Sequence, residues 1–264
     1  MRAFLLAVGA ALVLVGPAGA DPPRSGIVHA KLPPGTPLVE VGRALYGGNC
    51  STCHGSNGEG IVNPPPGRGA GGETAEGPSL KDAGALAADF YLRTGYMPLS
   101  SPGRQPYRSR VLFSDYEIRA LVAYVASLGH GPPVPRPNAE RGSLAEGQRL
   151  FTEHCAGCHQ VVAEGGYVTD ARVPPLHRAT DVQIAEAVRI GPYVMPRFTR
   201  TDISDRQLDS IIAYVSYAKH PDDRGGWSIG HIGPIPEGMV TWLLAATVLV
   251  ATCMALGKRL KGGP

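Results

Sequence analysis

Aromatic and charged side chains are scarce in this sequence: 6% of the 264 residues are Phe, Trp or Tyr, and 18% are Asp, Glu, Lys or Arg. The formal net charge is only +3, and Lys and Arg never gather into a long run. Nucleic-acid binding needs a basic patch or stripe, so that class of partner is excluded. No Ser-His-Asp set, phosphate-cradling loop or cluster of metal-binding carboxylates stands out. The chain therefore lacks the usual means of hydrolytic and phosphoryl-transfer chemistry. Methionine and cysteine number five each. Gly (35) and Pro (25) are abundant instead. That composition favours short helices joined by long loops over a sheet-rich core.

Four of the five cysteines fall in one pentapeptide pattern that occurs twice, Cys50-Ser51-Thr52-Cys53-His54 and Cys155-Ala156-Gly157-Cys158-His159. C-x-x-C-H is the attachment sequence of c-type haem. Cys50 and Cys53, and again Cys155 and Cys158, are spaced to form two thioethers to one porphyrin, with His54 or His159 set under the iron. A zinc site built from both pairs, or an oxidised pair, are the alternatives. Neither accounts for a His after each pair. Two covalent haem c groups are expected.

Both ends of the chain carry membrane signals. Arg2, the 13-residue run Ala3 to Val15 and the small residues Ala18-Gly19-Ala20 read as an export signal over residues 1–20. An uncleaved anchor is the alternative, although the run is short for a bilayer. Met239 to Leu256 is 18 uncharged, mostly apolar residues, followed by Lys258, Arg259 and Lys261. We expect a transmembrane helix over 238–257 and a cytoplasmic tail over 258–264. A buried core helix is the alternative. Trp227 and Trp242 suit the membrane interface. The positive-inside rule then leaves the rest of the chain outside a bacterial cell membrane.

Between the ends the chain is duplicated. Each half runs helix, C-x-x-C-H, P-x-L, helix, Met-Pro, helix. The P-x-L segments are Pro78-Ser79-Leu80 and Pro174-Pro175-Leu176; the last helices share Leu121-Val122-Ala123-Tyr124-Val125 and Ile211-Ile212-Ala213-Tyr214-Val215. The spacing predicts a first helix over 38–46 ended by Gly47 and Gly48. It predicts others over 83–94 and 114–128, a helix from Ser143 toward Phe151, and helices after Thr180 and Ser204. Ser114 with Glu117, Ser143 with Glu146, Thr180 with Gln183, and Ser204 with Gln207 read as N-terminal caps. Domain 1 is placed at 35–129, a Pro-rich extended spacer at 130–142, domain 2 at 143–219 and a loop at 220–237. The first half is longer through a Gly/Pro-rich loop over 55–77, with eight glycines, and an insertion at 99–113.

Methionine completes the pattern. Met1 is the initiator, and Met239 and Met254 lie in the apolar C-terminal run. Met97 and Met195 remain, one per half, each before Pro. They are assigned as the second axial ligands opposite His54 and His159. This His/Met pairing raises potential in electron-carrying cytochromes c. It leaves no open iron position, so passage of single electrons is expected rather than substrate chemistry. A bis-His site through His177 is the alternative. The other histidines read as surface residues, and Cys253 as an apolar filler.

Each half resembles a class I cytochrome c domain, so the fold is expected to be all-α, two tandem domains plus a C-terminal transmembrane helix. The resemblance implies that the carbonyls of Pro78 and Pro174 accept a hydrogen bond from the proximal His. The stretches Ala85 to Leu99 and Gly225-Gly226-Trp227 through Gly238 are similar to the dihaem cytochrome c subunit of the actinobacterial-type cytochrome bc complex. That resemblance implies a menaquinol-oxidising complex with a cytochrome b subunit and a Rieske iron–sulfur subunit. It implies relay of electrons toward a haem–copper cytochrome c oxidase, and so an electron-transfer subunit of a quinol–cytochrome c reductase (a translocase). A stand-alone tethered shuttle and a dihaem oxidase subunit are the competing readings. A dihaem peroxidase would need an open iron position.

Overall fold

The computed structural model describes residues 26–62, 76–99, 108–169, 171–220 and 234–261. The expected export signal, much of the loop at 55–77, part of the insertion at 99–113 and residues 221–233 lie outside the described residues.

The order of elements in the first half is α1 (Leu38–Asn49), α2 (Ser51–His54), α3 (Gly84–Arg93) and α4 (Asp115–Ser127). The second half has α5 (Leu144–His154), α6 (Ala156–His159), a hairpin of β1 (Gly166–Val168) and β2 (Ala171–Val173), α7 (Asp181–Ile190) and α8 (Asp205–Lys219). The last helix, α9, is Pro234–Lys261. Among the described residues the fold is all-α apart from the short hairpin.

Local chemistry starts these helices. Ser114–Glu117, Thr180–Gln183 and Ser204–Gln207 form reciprocal capping boxes, each satisfying two otherwise orphaned N–H groups. At Ser143 only half the expected box forms. Its hydroxyl accepts from the Glu146 N–H, but the Glu146 carboxylate accepts from Ser210 Oγ of α8 at 2.9 Å. A tertiary partner has displaced the local one. The helix-ending role expected of Gly47 and Gly48 also fails, since α1 continues to Asn49. The Asn49 side-chain amide donates to Leu45 O and Val28 O, and Cys50 N donates to Tyr46 O, so bonding carries across both glycines.

Both halves are built on one helix crossing. α1 packs on α4, and α5 packs on α8. A glycine sits at each crossing: a Cβ on Gly42 would run into the Ala120 carbonyl, and a Cβ on Gly147 into that of Ser210. One step along, Tyr46 meets Tyr124 with ring centroids 5.0 Å apart and tilted 52°, and Phe151 meets Tyr214 at 5.3 Å and 51°. Around the first pair the core gathers Val41, Leu45, Leu92, Phe113, Ile118 and Leu121. Around the second it gathers Leu150, Ile184, Val188, Ile203, Ile211 and Val215. Each such side chain contributes about 1.5–3 kcal/mol when fully buried.

The hairpin was not legible in the sequence. Its outermost pair, Gly166 with Val173, corresponds to an isolated bridge between Ile61 and Gly77 in the first half. The second half has a shorter connection there, and the same bridge extends to three pairs.

The segment 130–142 is not a free spacer. Pro132 O accepts from Leu86 N, and Gly131 lies against the backbone of Gly84. At its far end Asn138 N donates to Asp209 Oδ1 at 2.7 Å, and Arg141 pairs with the same carboxylate at 3.1 Å. Its start is thus tied to α3 and its end to α8. α3 also packs across the halves on α7.

Within α9, the 23-residue stretch Gly238–Leu260 contains an 18-residue window of mean hydropathy 2.1, no part of which is buried. At about 1.5 Å per residue it exceeds the roughly 30 Å hydrocarbon layer. By length and composition it can cross a membrane, and the core-helix alternative fails. Lys258, Arg259 and Lys261 lie within the helix, not in a separate tail.

Candidate functional site

The two pentapeptides form one-turn helices, α2 and α6, each set directly after a long helix. Cys50 and Cys155 are the junction residues, with φ of −121° and −122°. Each donates its N–H backward, to Tyr46 O and Phe151 O, and accepts from the N–H of its own His, 54 or 159. The thiols of each pair thus stand three residues apart on one turn, where side chains are neighbours. No two cysteines are joined by a disulfide, so both pairs are available to a porphyrin.

Each motif histidine is held by a carbonyl. His54 Nδ1 lies 2.8 Å from Pro78 O, and His159 Nδ1 lies 3.2 Å from Pro174 O. A carbonyl only accepts, so Nδ1 carries the proton and Nε2 keeps its lone pair for a metal. Burial pushes the His159 imidazole below its ordinary pKa, against the opposing effect of the Pro174 bond. Burial thus favours the neutral ring that a metal ligand needs.

The loops that place these carbonyls match bond for bond. Gly60 N donates to His54 O at 2.8 Å, and Gly165 N to His159 O at 3.0 Å. Leu80 N donates to Gly58 O, and Leu176 N to Ala163 O. Gly60 has φ +83° and Gly165 φ +72°, which L side chains rarely adopt. A Cβ on Gly60 would strike the backbone of Pro78 and Ser79; one on Gly165 would strike Val173 through Pro175. These glycines were missed from the sequence. Their common place, six residues after each His, was the available signal.

Met97 and Met195 are half-buried and pack on the cores that also meet Cys50 and Cys155. α3 and α7 each lead to a left-handed glycine, Gly95 at φ +70° and Gly191 at φ +66°. Beyond it Met97 N donates to Tyr91 O, and Met195 N to Pro192 O. Arg189 fastens the second of these loops. Its guanidinium donates to the carbonyls of Phe198, Thr199 and Ile203 at 3.2, 3.0 and 2.7 Å, and to Asp205 at 2.8 Å.

His177 is engaged elsewhere. Its Nε2 lies 2.9 Å from Val162 O and its Nδ1 3.4 Å from Glu164. A bis-His site through it would require breaking these contacts.

The donor set fits thioether-bound haem better than zinc. Burial, and then the neighbouring Cys53, push the Cys50 thiol up to about 12; burial and Cys158 push Cys155 up to about 11. A zinc site needs thiolates, which these surroundings oppose, whereas a thioether is neutral. Among the described residues no three His, Cys, Asp or Glu side chains converge as a metal site.

Comparison with known proteins gives the same picture. The family model described as cytochrome c matches residues 39–129, and that of cytochrome c oxidase, cbb3-type, subunit III matches 142–215. The chain is 32% identical over 240 residues to the cytochrome bc1 complex cytochrome c subunit of Corynebacterium diphtheriae, covering 84% of this chain and 81% of that one. It is 33% identical over 231 residues to the same subunit of Mycobacterium tuberculosis strain H37Rv, covering 84% and 78%. It is also 26% identical over 200 residues to the cbb3-type cytochrome c oxidase subunit CcoP of Azospirillum sp. strain B510, covering 66% and 60%. Two cytochrome c domains make haem c the group that the sites hold. The chain belongs to the family of cytochrome bc1 complex cytochrome c subunits.

Proposed function

We propose that this chain relays single electrons within a menaquinol–cytochrome c reductase, from a Rieske iron–sulfur subunit toward a haem–copper cytochrome c oxidase. The observation that carries the reading is the doubled histidine–carbonyl contact, His54 to Pro78 and His159 to Pro174, each behind a C-x-x-C pair. The names of the relatives supply the complex. Haem c in each site supplies a one-electron iron couple.

The chain's own residues hold and tune that couple. Cys50 and Cys53, and Cys155 and Cys158, hold it covalently. His54 and His159 ligate through Nε2, and Pro78 and Pro174 fix the tautomer and raise the ligand's basicity. Met97 and Met195 would supply thioether sulfur to the iron, which favours the reduced state. With a His and a Met committed to each iron, the subunit would need no acid or base of its own. The domains are taken as 35–129 and 143–219. α9 anchors them on the extracytoplasmic side beside cytochrome b.

Membership of a cbb3-type oxidase is the second reading, favoured by the family model over 142–215. Mild-detergent purification through the chain, with haem staining and subunit identification, separates the two. Cytochrome b and the Rieske subunit in the purified complex support the proposal. A haem–copper catalytic subunit without cytochrome b supports the oxidase, and a lone chain supports a tethered shuttle.

A further inference from the structure

Between the two halves lies a polar contact that haem binding does not use. Glu186 of α7 is fully buried, and neither carboxyl oxygen has a hydrogen-bond donor among the described residues. The side chain that meets it is Asp89 of α3, itself 6% exposed. Asp89 is already committed: both its oxygens accept from Arg93 Nε, at 2.8 and 3.0 Å. Arg93 in turn reaches Asp115 at 2.7 Å. Asp89 is therefore the ionised partner. Two facing carboxyls away from water attract only if one carries the proton, and that one is Glu186.

The strap 130–142 fixes where α3 and α8 lie along the chain, but α3 meets α7 directly. Met97 and Met195 follow α3 and α7, so the seating of these two helices on each other helps to set where the two methionines lie.

We propose that Glu186 is a protonation-dependent clasp and a positioning residue for transfer between the halves: neutral, it donates to Asp89 and locks α7 on α3; ionised, it loosens them. The transfer role rests on the relay reading above; the clasp does not. The groups facing Glu186 are Asp89, which opposes its ionisation, and Arg93, which partly favours it. α8, which also packs on α7, contributes no charge acting on it.

The sign follows from linkage. Burial, then Asp89, raise the Glu186 carboxyl to about 9 in the docked state, against 4.5 for a free one. Docking therefore takes up a proton. The clasp is fully present below the free value, weakens as pH rises, and is lost as pH passes the docked value, by at most about tenfold per unit.

The test is hydrogen–deuterium exchange of the α3 and α7 amides in the detergent-purified, haem-loaded full chain at pH 5, 6.5 and 8. Each rate is divided by that of Glu186→Gln at the same pH, which cancels intrinsic exchange. Gln keeps a neutral donor for Asp89 and cannot ionise. The expected ratio is near one at pH 5 and rises at least about tenfold by pH 8. Glu186→Ala exchanges faster than Glu186→Gln throughout. A ratio that stays flat with pH overturns the clasp, and so does Glu186→Ala behaving as Glu186→Gln. The pH-dependent ratio without any electron transfer between the halves keeps the clasp and refutes the relay.

Discussion

His54 presents Nδ1 to the carbonyl of Pro78 at 2.8 Å, across 24 residues of chain. The contact exists because Gly60 lets the loop after His54 lie against the Pro78–Ser79 backbone. His159, Pro174 and Gly165 repeat it.

Gly60→Ala therefore breaks one copy of this arrangement and leaves the other. Overpacking of this kind costs about 1–3 kcal/mol, and a left-handed backbone adds about 1–2 for an L side chain. Weakening the bond makes the imidazole a poorer donor to the oxidised metal, so that site's potential rises. Redox titration of Gly60→Ala and Gly165→Ala should each move one of two midpoint potentials upward. Movement of both, or of neither, contradicts the separate loops.

The helix crossings give a matched pair of stability tests. Ala is the better helix former by about 1 kcal/mol, so propensity alone would have Gly42→Ala stabilise α1. Contact with the Ala120 carbonyl reverses the sign, and thermal unfolding should show a net loss of about 1–3 kcal/mol. Gly147→Ala should do the same against Ser210. A raised melting temperature in either variant contradicts the crossing.

Met97→Ala and Met195→Ala test the ligand assignment. Each removes one sulfur, so each variant binds carbon monoxide at half of its reduced haem and the double variant at all of it. The unaltered chain binds none. Spectral titration with carbon monoxide reads the fraction directly, and a variant that stays inert has its ligand wrongly assigned.

Arg189 is only 10% exposed on its side chain, and it holds three carbonyls of the loop after Met195. One hydrogen bond to a charged group contributes about 1.5–3 kcal/mol, so Arg189→Ala should cost at least about 2 kcal/mol in denaturant. Lys keeps the charge but cannot spread donors over three carbonyls, and should not restore the loss. Burial alone would raise the Asp205 carboxyl, but Arg189 and Arg200 hold it below its usual value. A lowered pKa stabilises above the free value and ceases to as pH falls through the lowered one, so this pair is lost on the acid side of the free carboxyl's value. Asp205 is 66% exposed on its side chain, which limits its share to about 0.2–1 kcal/mol. Asp205→Asn should remove that acid step from the unfolding curve.

Features written in a few consecutive residues were legible in the sequence. The pentapeptides, three of the four capping boxes and the apolar run of α9 all depend on neighbours along the chain. What depends on distant partners was not. Glu146 satisfies Ser210 across 64 residues instead of completing its own cap. Asn49 carries α1 through two glycines by reaching Val28. The prolines of 130–142 read as a spacer because composition does not show that Asp209 and Leu86 hold its ends. Glu186 drew no notice in the sequence, because only the packing of α3 on α7 buries it.

The account stands on two haem sites in one chain, and intact-mass measurement of the purified protein tests that most directly. The mass should exceed that of the polypeptide, as processed, by two covalently bound haems, and Cys50→Ala with Cys53→Ala should remove one of them. A single haem on the unaltered chain, or none, would contradict the central claim.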